Sequence, residues 1–275
     1  MKVLISADME GISGIVHPSE TNPGGYDYER GRARMTAEVN AAVAGVLEAV
    51  PAAEVLVADA HASFRNLLPE ELDRRARLVR GQPRPLGMLA GLDDDTDAVL
   101  FVGYHARAGG GPGVLAHTIG AGILDVRLDG RSTGEIGLNA ALAGFHGAPV
   151  VLITGDDAAC AELRELVPAA LNVAVKRALG QAATVALHPD EARDQVHRAA
   201  AKAVRRHDQV PLVTLTGPLK VEVDLYGPYT VDLAVLVPGV TRAPGARTVA
   251  FTAADVAEAY RLVQLLAQLA LITPG

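Results

Sequence analysis

Three apolar runs in this chain show no alternation: Val3-Leu4-Ile5, Val55-Leu56-Val57-Ala58 and Ala98-Val99-Leu100-Phe101-Val102. A strand with one face in water alternates apolar and polar residues, whereas a strand covered on both faces by helices reads as continuous hydrophobic sequence. The stretches between the runs carry helical periodicity, clearest where Met35, Val39, Val43, Val46, Leu47 and Val50 share one face. An order of strand, helix, strand, helix, strand predicts an α/β fold, a three-layer sandwich around a mainly parallel central sheet. With 275 residues, 49% of them hydrophobic, the chain is long enough to bury a large core.

The residues at the end of each run are more specific. The first run leads into Ser6-Ala7-Asp8-Met9-Glu10-Gly11, the second into Asp59-Ala60-His61 and the third into Gly103-Tyr104-His105. Ligands of open parallel sheets lie outside the carboxyl ends of the strands, so Asp8, Glu10, His61 and His105 are expected in one crevice. On an extended segment Asp8 and Glu10 point to the same side, and carboxylates that close repel unless a cation or proton lies between them. Gly11 is expected to allow a sharp departure from them. Each feature alone also reads as a solvated turn or a hydrogen-bonded structural histidine; recurrence at three equivalent places favours a metal site. Glu135 opens a helix running to about Gly144, and its spacing from Ser132 matches the S-x-x-E capping box. On spacing alone capping is preferred there, and only the company of the other four residues makes metal ligation competitive.

Together these motifs resemble the D-aminopeptidases of the Dpp dipeptide operon type, zinc metallopeptidases with an S-x-D-x-E-G key motif. Further matches are Pro112-Gly113-Val114-Leu115-Ala116-His117, Gly134-Glu135-Ile136-Gly137-Leu138-Asn139, Val150 to Asp157 and Glu258-Ala259-Tyr260, so the resemblance covers nearly the whole chain. One departure is the loop Gly109-Gly110-Gly111, slightly longer and more flexible than the family's version. The resemblance implies two zinc ions per subunit, with Asp8 bridging them, Glu10 and His61 completing one site and His105 and Glu135 the other. It also implies removal of N-terminal residues, D-amino acids above all, from short peptides or amino acid amides by metal-hydroxide attack. Four positive charges against three carboxylates leave one unit for a bridging hydroxide, and mixed imidazole and carboxylate ligation with open positions suits catalytic zinc. The family gives His117 a catalytic role described as nucleophilic; beside such a centre its imidazole suits proton transfer or oxyanion stabilisation better. Another metal-dependent amide or ester hydrolase, and a metal- or ligand-binding protein without turnover, are the competing readings. The family also forms homo-oligomers, decamers of two stacked pentameric rings with an inner chamber.

A net charge of −7 argues against nucleic acid or an anionic membrane as partner. The uncharged stretch Leu262 to Ile272 is too short to span a bilayer. The single cysteine, Cys160, reads as a small core residue that forms no internal disulfide, and Met1-Lys2 runs straight into a strand without a signal-peptide pattern, so a cytoplasmic location is expected. From about residue 170, shorter strands such as Val173 to Val175 and Val221 to Asp224 flank a polar helix of residues 190–207. They predict a metal-binding α/β core over 1–168 and a smaller C-terminal α+β lobe over 169–275, packed into the same domain. Gly109-Gly110-Gly111-Pro112-Gly113 lacks the lysine of a P-loop and is expected to act as a lid, while Ile15 to Tyr26 is expected to shape the substrate entrance. The last helix carries apolar residues on more than one side, which predicts burial against another lobe or another subunit.

Overall fold

A computed structural model of the chain describes residues 1–272. In chain order the first half runs β1 Lys2–Ala7, α1 Pro18–Thr21, α2 Tyr28–Ala49, β2 Glu54–Asp59, β3 Arg77–Val79, β4 Ala98–Tyr104, β5 Ile123–Leu128, β6 Arg131–Ser132 and α3 Glu135–Phe145. The second half runs β7 Val150–Asp156, α4 Asp157–Leu166, β8 Leu171–Gly180, β9 Ala183–Ala186, α5 Pro189–Val204, β10 Leu219–Leu225, α6 Pro228–Ala234, β11 Thr241–Arg242, β12 Thr248–Ala253 and α7 Val256–Leu269.

The larger sheet has the order β3-β2-β1-β4-β7-β8-β9. It is parallel from β3 to β8, and β9 pairs antiparallel at its edge. Every residue of β4 and of β7 is buried, as continuous apolar sequence requires. The chain moves outward one way from β1 to β2 and the other way from β4 through β7 to β8. Right-handed crossovers therefore put α2 on one face and α3 and α4 on the other; α5 packs along α2. Where the direction reverses, between β1 and β4, a crevice opens at the carboxyl ends of the strands.

A second, antiparallel sheet has the order β11-β12-β10-β5-β6. Its strands come from both sides of the expected 168/169 division, since β5 and β6 precede α3 whereas β8 and β9 complete the parallel sheet. The physical reason is partner choice: Val173 lies beside Thr154 of β7 in parallel register, and a short apolar run does not say which neighbour it will find. The several apolar sides of α7 are largely used inside the subunit. Val256, Tyr260, Val263 and Leu266 are buried where the helix meets α3 and the second sheet, while Leu265 stays exposed.

Gly11 works by close approach rather than by an unusual turn. A Cβ there would lie 2.0 Å from the Tyr104 carbonyl oxygen, and the Gly11 N–H donates to Gly103 O at 2.7 Å. Only glycine lets the exit of β1 lie against the end of β4.

Candidate metal centre

Asp8 sits one residue beyond β1, its N–H donating to Val102 O (2.8 Å) so that the exit stays in register with β4. His61 follows β2, where the Ala60 N–H donates to Ala7 O (2.7 Å). Asp59, beside it in the motif, clamps the loop: its carboxylate accepts from the N–H of Asn66 (2.5 Å) and Leu67 (2.7 Å), and the Asn66 amide in turn donates to His61 O (2.6 Å). His105 follows β4, and Glu135 opens α3. All five residues, Asp8, Glu10, His61, His105 and Glu135, are buried in the crevice.

The capping reading of Glu135 is not what the structure holds. The N-cap residue of α3 is Gly134, with no side-chain cap, and the Ser132 hydroxyl donates to Asp125 (2.9 Å). Glu135 Oε1 instead accepts from the Ile119 N–H at 2.6 Å and lies 3.4 Å from His105 Nε2. The loop bearing Ile119 competes with the local cap and wins.

Each imidazole has one nitrogen held by a backbone carbonyl. His61 Nε2 meets Thr21 O (3.0 Å), His105 Nδ1 meets Ala106 O (2.9 Å) and His117 Nδ1 meets Leu115 O (2.9 Å). A carbonyl only accepts, so those nitrogens carry a proton; the opposite ones face the carboxylates and would present lone pairs to a metal bound there. His61 Nδ1 lies 2.8 Å from Glu10 Oε2 and 3.2 Å from Asp8 Oδ1, and His105 Nε2 lies 3.4 Å from Asp8 Oδ2. Acceptor facing acceptor at these distances requires a proton or a cation between them. Asp8 Oδ2, Glu10 Oε2 and His105 Nε2 are buried without a hydrogen-bond partner, and such atoms fit a divalent metal with an outer shell that orients its ligands. Ligand atoms of Asp8, Glu10 and His105 lie within 4.8 Å of one another, as do those of His105, His117 and Glu135.

The electrostatics say the same. Burial, together with the neighbouring Glu10 charge, pushes the Asp8 carboxyl up to about 7. Burial acts in that direction on Glu10 too, but the His61 imidazole reverses it and holds Glu10 well below the usual carboxylate range. Three buried carboxylates in one crevice call for positive charge.

His117 lies at the crevice wall, its ring stacked on His105 with centroids 4.1 Å apart and its Nε2 3.7 Å from Glu135 Oε1. Two non-glycine residues flank it in the left-handed region, Leu115 (φ 53°) and Ile119 (φ 62°), and Ala62 (φ 48°) and Phe64 (φ 59°) follow His61 likewise. Such conformations persist only where surrounding structure imposes them, and they gather at functional sites. The centre opens into a cleft of about 460 Å³. Pro18, Thr21 and Asn22 of the 15–26 loop form part of its wall, as expected for an entrance. Gly109 to Gly113 do not line the cleft; that side is built by Leu115, His117 and Ile119 to Ala121. Four glutamines, Gln82, Gln181, Gln264 and Gln268, also line it, and no sequence signal marks them, because a glutamine on a helix or turn reads as solvent-facing.

A parallel α/β fold with a carboxylate and imidazole cluster at its switch point defines a metalloenzyme class of site. The chain matches the family model described as D-aminopeptidase over residues 1–265, and it belongs to that family. It is 38% identical over 275 residues to a D-aminopeptidase of Bacillus subtilis (strain 168), covering 99% of each chain. Among solved structures it is similar to the Zn-dependent D-aminopeptidase DppA from Bacillus subtilis, described as a self-compartmentalizing protease, with a TM-score of 0.96, 36% identity and 100% of both chains covered.

Proposed function

We propose that this chain is a zinc-dependent aminopeptidase that removes N-terminal residues, D-amino acids above all, from short peptides or amino acid amides. The observation that carries the reading is the double aspect of Asp8: Oδ1 faces His61, which Glu10 also meets, and Oδ2 faces His105, which Glu135 also meets. That arrangement supports two zinc ions, with Asp8 shared, Glu10 and His61 holding one, and His105 and Glu135 the other. When bound, paired zinc supplies a water of lowered pKa and polarises the scissile carbonyl. The Thr21 and Ala106 carbonyls keep the two imidazoles aimed at the centre. His117, 29% exposed, lining the cleft and with Nε2 3.7 Å from Glu135 Oε1, carries a proton between the attacking water and the departing amine. A second reading, His117 as a further metal ligand, is favoured by its closeness to His105 and Glu135.

The test is a panel of D- and L-amino acid amides and dipeptides with zinc analysis on the same preparation. About two zinc per chain, loss of activity in chelator and faster cleavage of the D-amides are expected. Chelator-resistant turnover, or cleavage of esters but no amide, would overturn the reading, and zinc binding without any turnover would leave a binding protein.

We also propose a homo-oligomer, a decamer by family resemblance, located in the cytoplasm. Apolar surface at the cleft end supports assembly: Leu124, Tyr226, Leu271 and Ile272 are exposed, and their segments meet where the Tyr226 N–H donates to Gly122 O (2.9 Å) and Gly122 packs on Ala270. The one cysteine, Cys160, is buried and free, in keeping with a reducing compartment. Among the described residues no helix is long and apolar enough to cross a membrane. Light scattering at micromolar concentration is expected to give a mass near ten times the 28.5 kDa of one chain; a monomer would refute the assembly and leave the metal chemistry untouched.

A further inference from the structure

Among the described residues Lys176, on β8, is the only buried lysine or arginine. Its ammonium donates to three backbone carbonyls, those of Glu10, Ile12 (2.9 Å) and Ile15 (2.6 Å). Three donors meet three acceptors, so the group is saturated within one turn of chain. That turn is the segment carrying Glu10. It is held from α2 as well: the Ser13 N–H donates to Glu38 (3.1 Å), and Arg34 donates to Gly14 O (2.7 Å) and Glu20 (3.1 Å). Beyond it the chain enters α1, whose Thr21 carbonyl orients His61.

Both Glu10 and the carbonyl that sets the His61 ring therefore hang from the segment Lys176 gathers. His105 and Glu135 hang from β4 and α3, to which Lys176 donates no bond. An apolar side chain could fill the volume, whereas a buried ammonium carries a desolvation cost that only specific acceptors offset. Without it three carbonyls would be left unpaired, and the turn would have to open to hydrate them.

We propose that Lys176 is a positioning residue for the Glu10 and His61 half of the metal centre, acting through the carbonyls of residues 10, 12 and 15. The proposal rests on the reading of the crevice as a two-zinc centre. Lys176→Met and Lys176→Arg are to be compared with the unaltered enzyme by competition titration of zinc against a chromophoric chelator, with circular dichroism, thermal melting and kcat and KM on the same samples. In the folded variants one zinc-binding event is expected to weaken by about 10–100-fold while the other is unchanged, and kcat recovers as zinc is added. A purely structural lysine would lower the melting temperature and leave both zinc affinities as they were, which overturns the proposal. If Lys176→Met fails to fold, Lys176→Arg decides alone: its flat guanidinium does not converge on three carbonyls as an ammonium does, and unchanged two-site binding there is equally fatal. Unaltered enzyme that binds no zinc sinks the metal reading itself; unaltered enzyme and variants that bind two ions alike sink only Lys176.

Discussion

Asp8→Ala is expected to purify with neither zinc site filled, whereas Glu10→Ala and His105→Ala each lose one. Asp8 is the only one of the five candidate ligands whose two oxygens face different histidines, at 3.2 and 3.4 Å, so its removal takes a ligand from both ions at once. Loss of an inner ligand should exceed the 10–100-fold in affinity that outer-shell changes cost, and turnover falls with the metal. The apo chain should stay folded, because the substitution removes a carboxyl that burial, together with the neighbouring Glu10 charge, already pushes up to about 7. Elemental analysis of the folded variants is the check. A fully metallated Asp8→Ala protein would exclude the bridge.

His117→Ala should behave in the opposite way, keeping its zinc and its fold while turnover drops by about 10²–10⁴. Its ring is 29% exposed and anchored by one carbonyl contact, so truncation opens the wall of the cleft rather than the core. What the neighbouring candidate ligands lose is the stacking on His105 at 4.1 Å and the approach to Glu135 Oε1 at 3.7 Å. Zinc content and kcat measured together separate the roles: a variant short of zinc makes His117 a ligand, and an acyl-histidine trapped with a slow substrate would make it the nucleophile.

Legibility in the sequence depended on the range of the interaction concerned. Continuous burial of the apolar runs of β1 and β4, and of β2 apart from the half-buried Leu56, is written in neighbouring residues, because a strand covered on both faces has no polar alternation. The position of Asp8, Glu10, His61 and His105 just past those strands then places them in one crevice by the topology of parallel sheets alone. The α2 face of Met35, Val39 and Val43 is legible for the same reason; helical period is a local property, and these residues are buried as the period predicts.

Glu135 marks where local reading stops. Its spacing from Ser132 is a capping box on paper, and what overrides it is the Ile119 N–H and His105, brought alongside by a loop and a different strand. The parallel pairing of β8 with β7, the glutamines of the cleft and the three carbonyls around Lys176 were likewise decided only in three dimensions. Strand and helix character, and the ends of strands, are set by residues within a turn or two and so belong to the sequence by itself. Which strand a short apolar run joins, and whether a carboxylate caps its own helix or reaches a distant histidine, depends on a comparison of partners that only the folded chain brings within bonding distance.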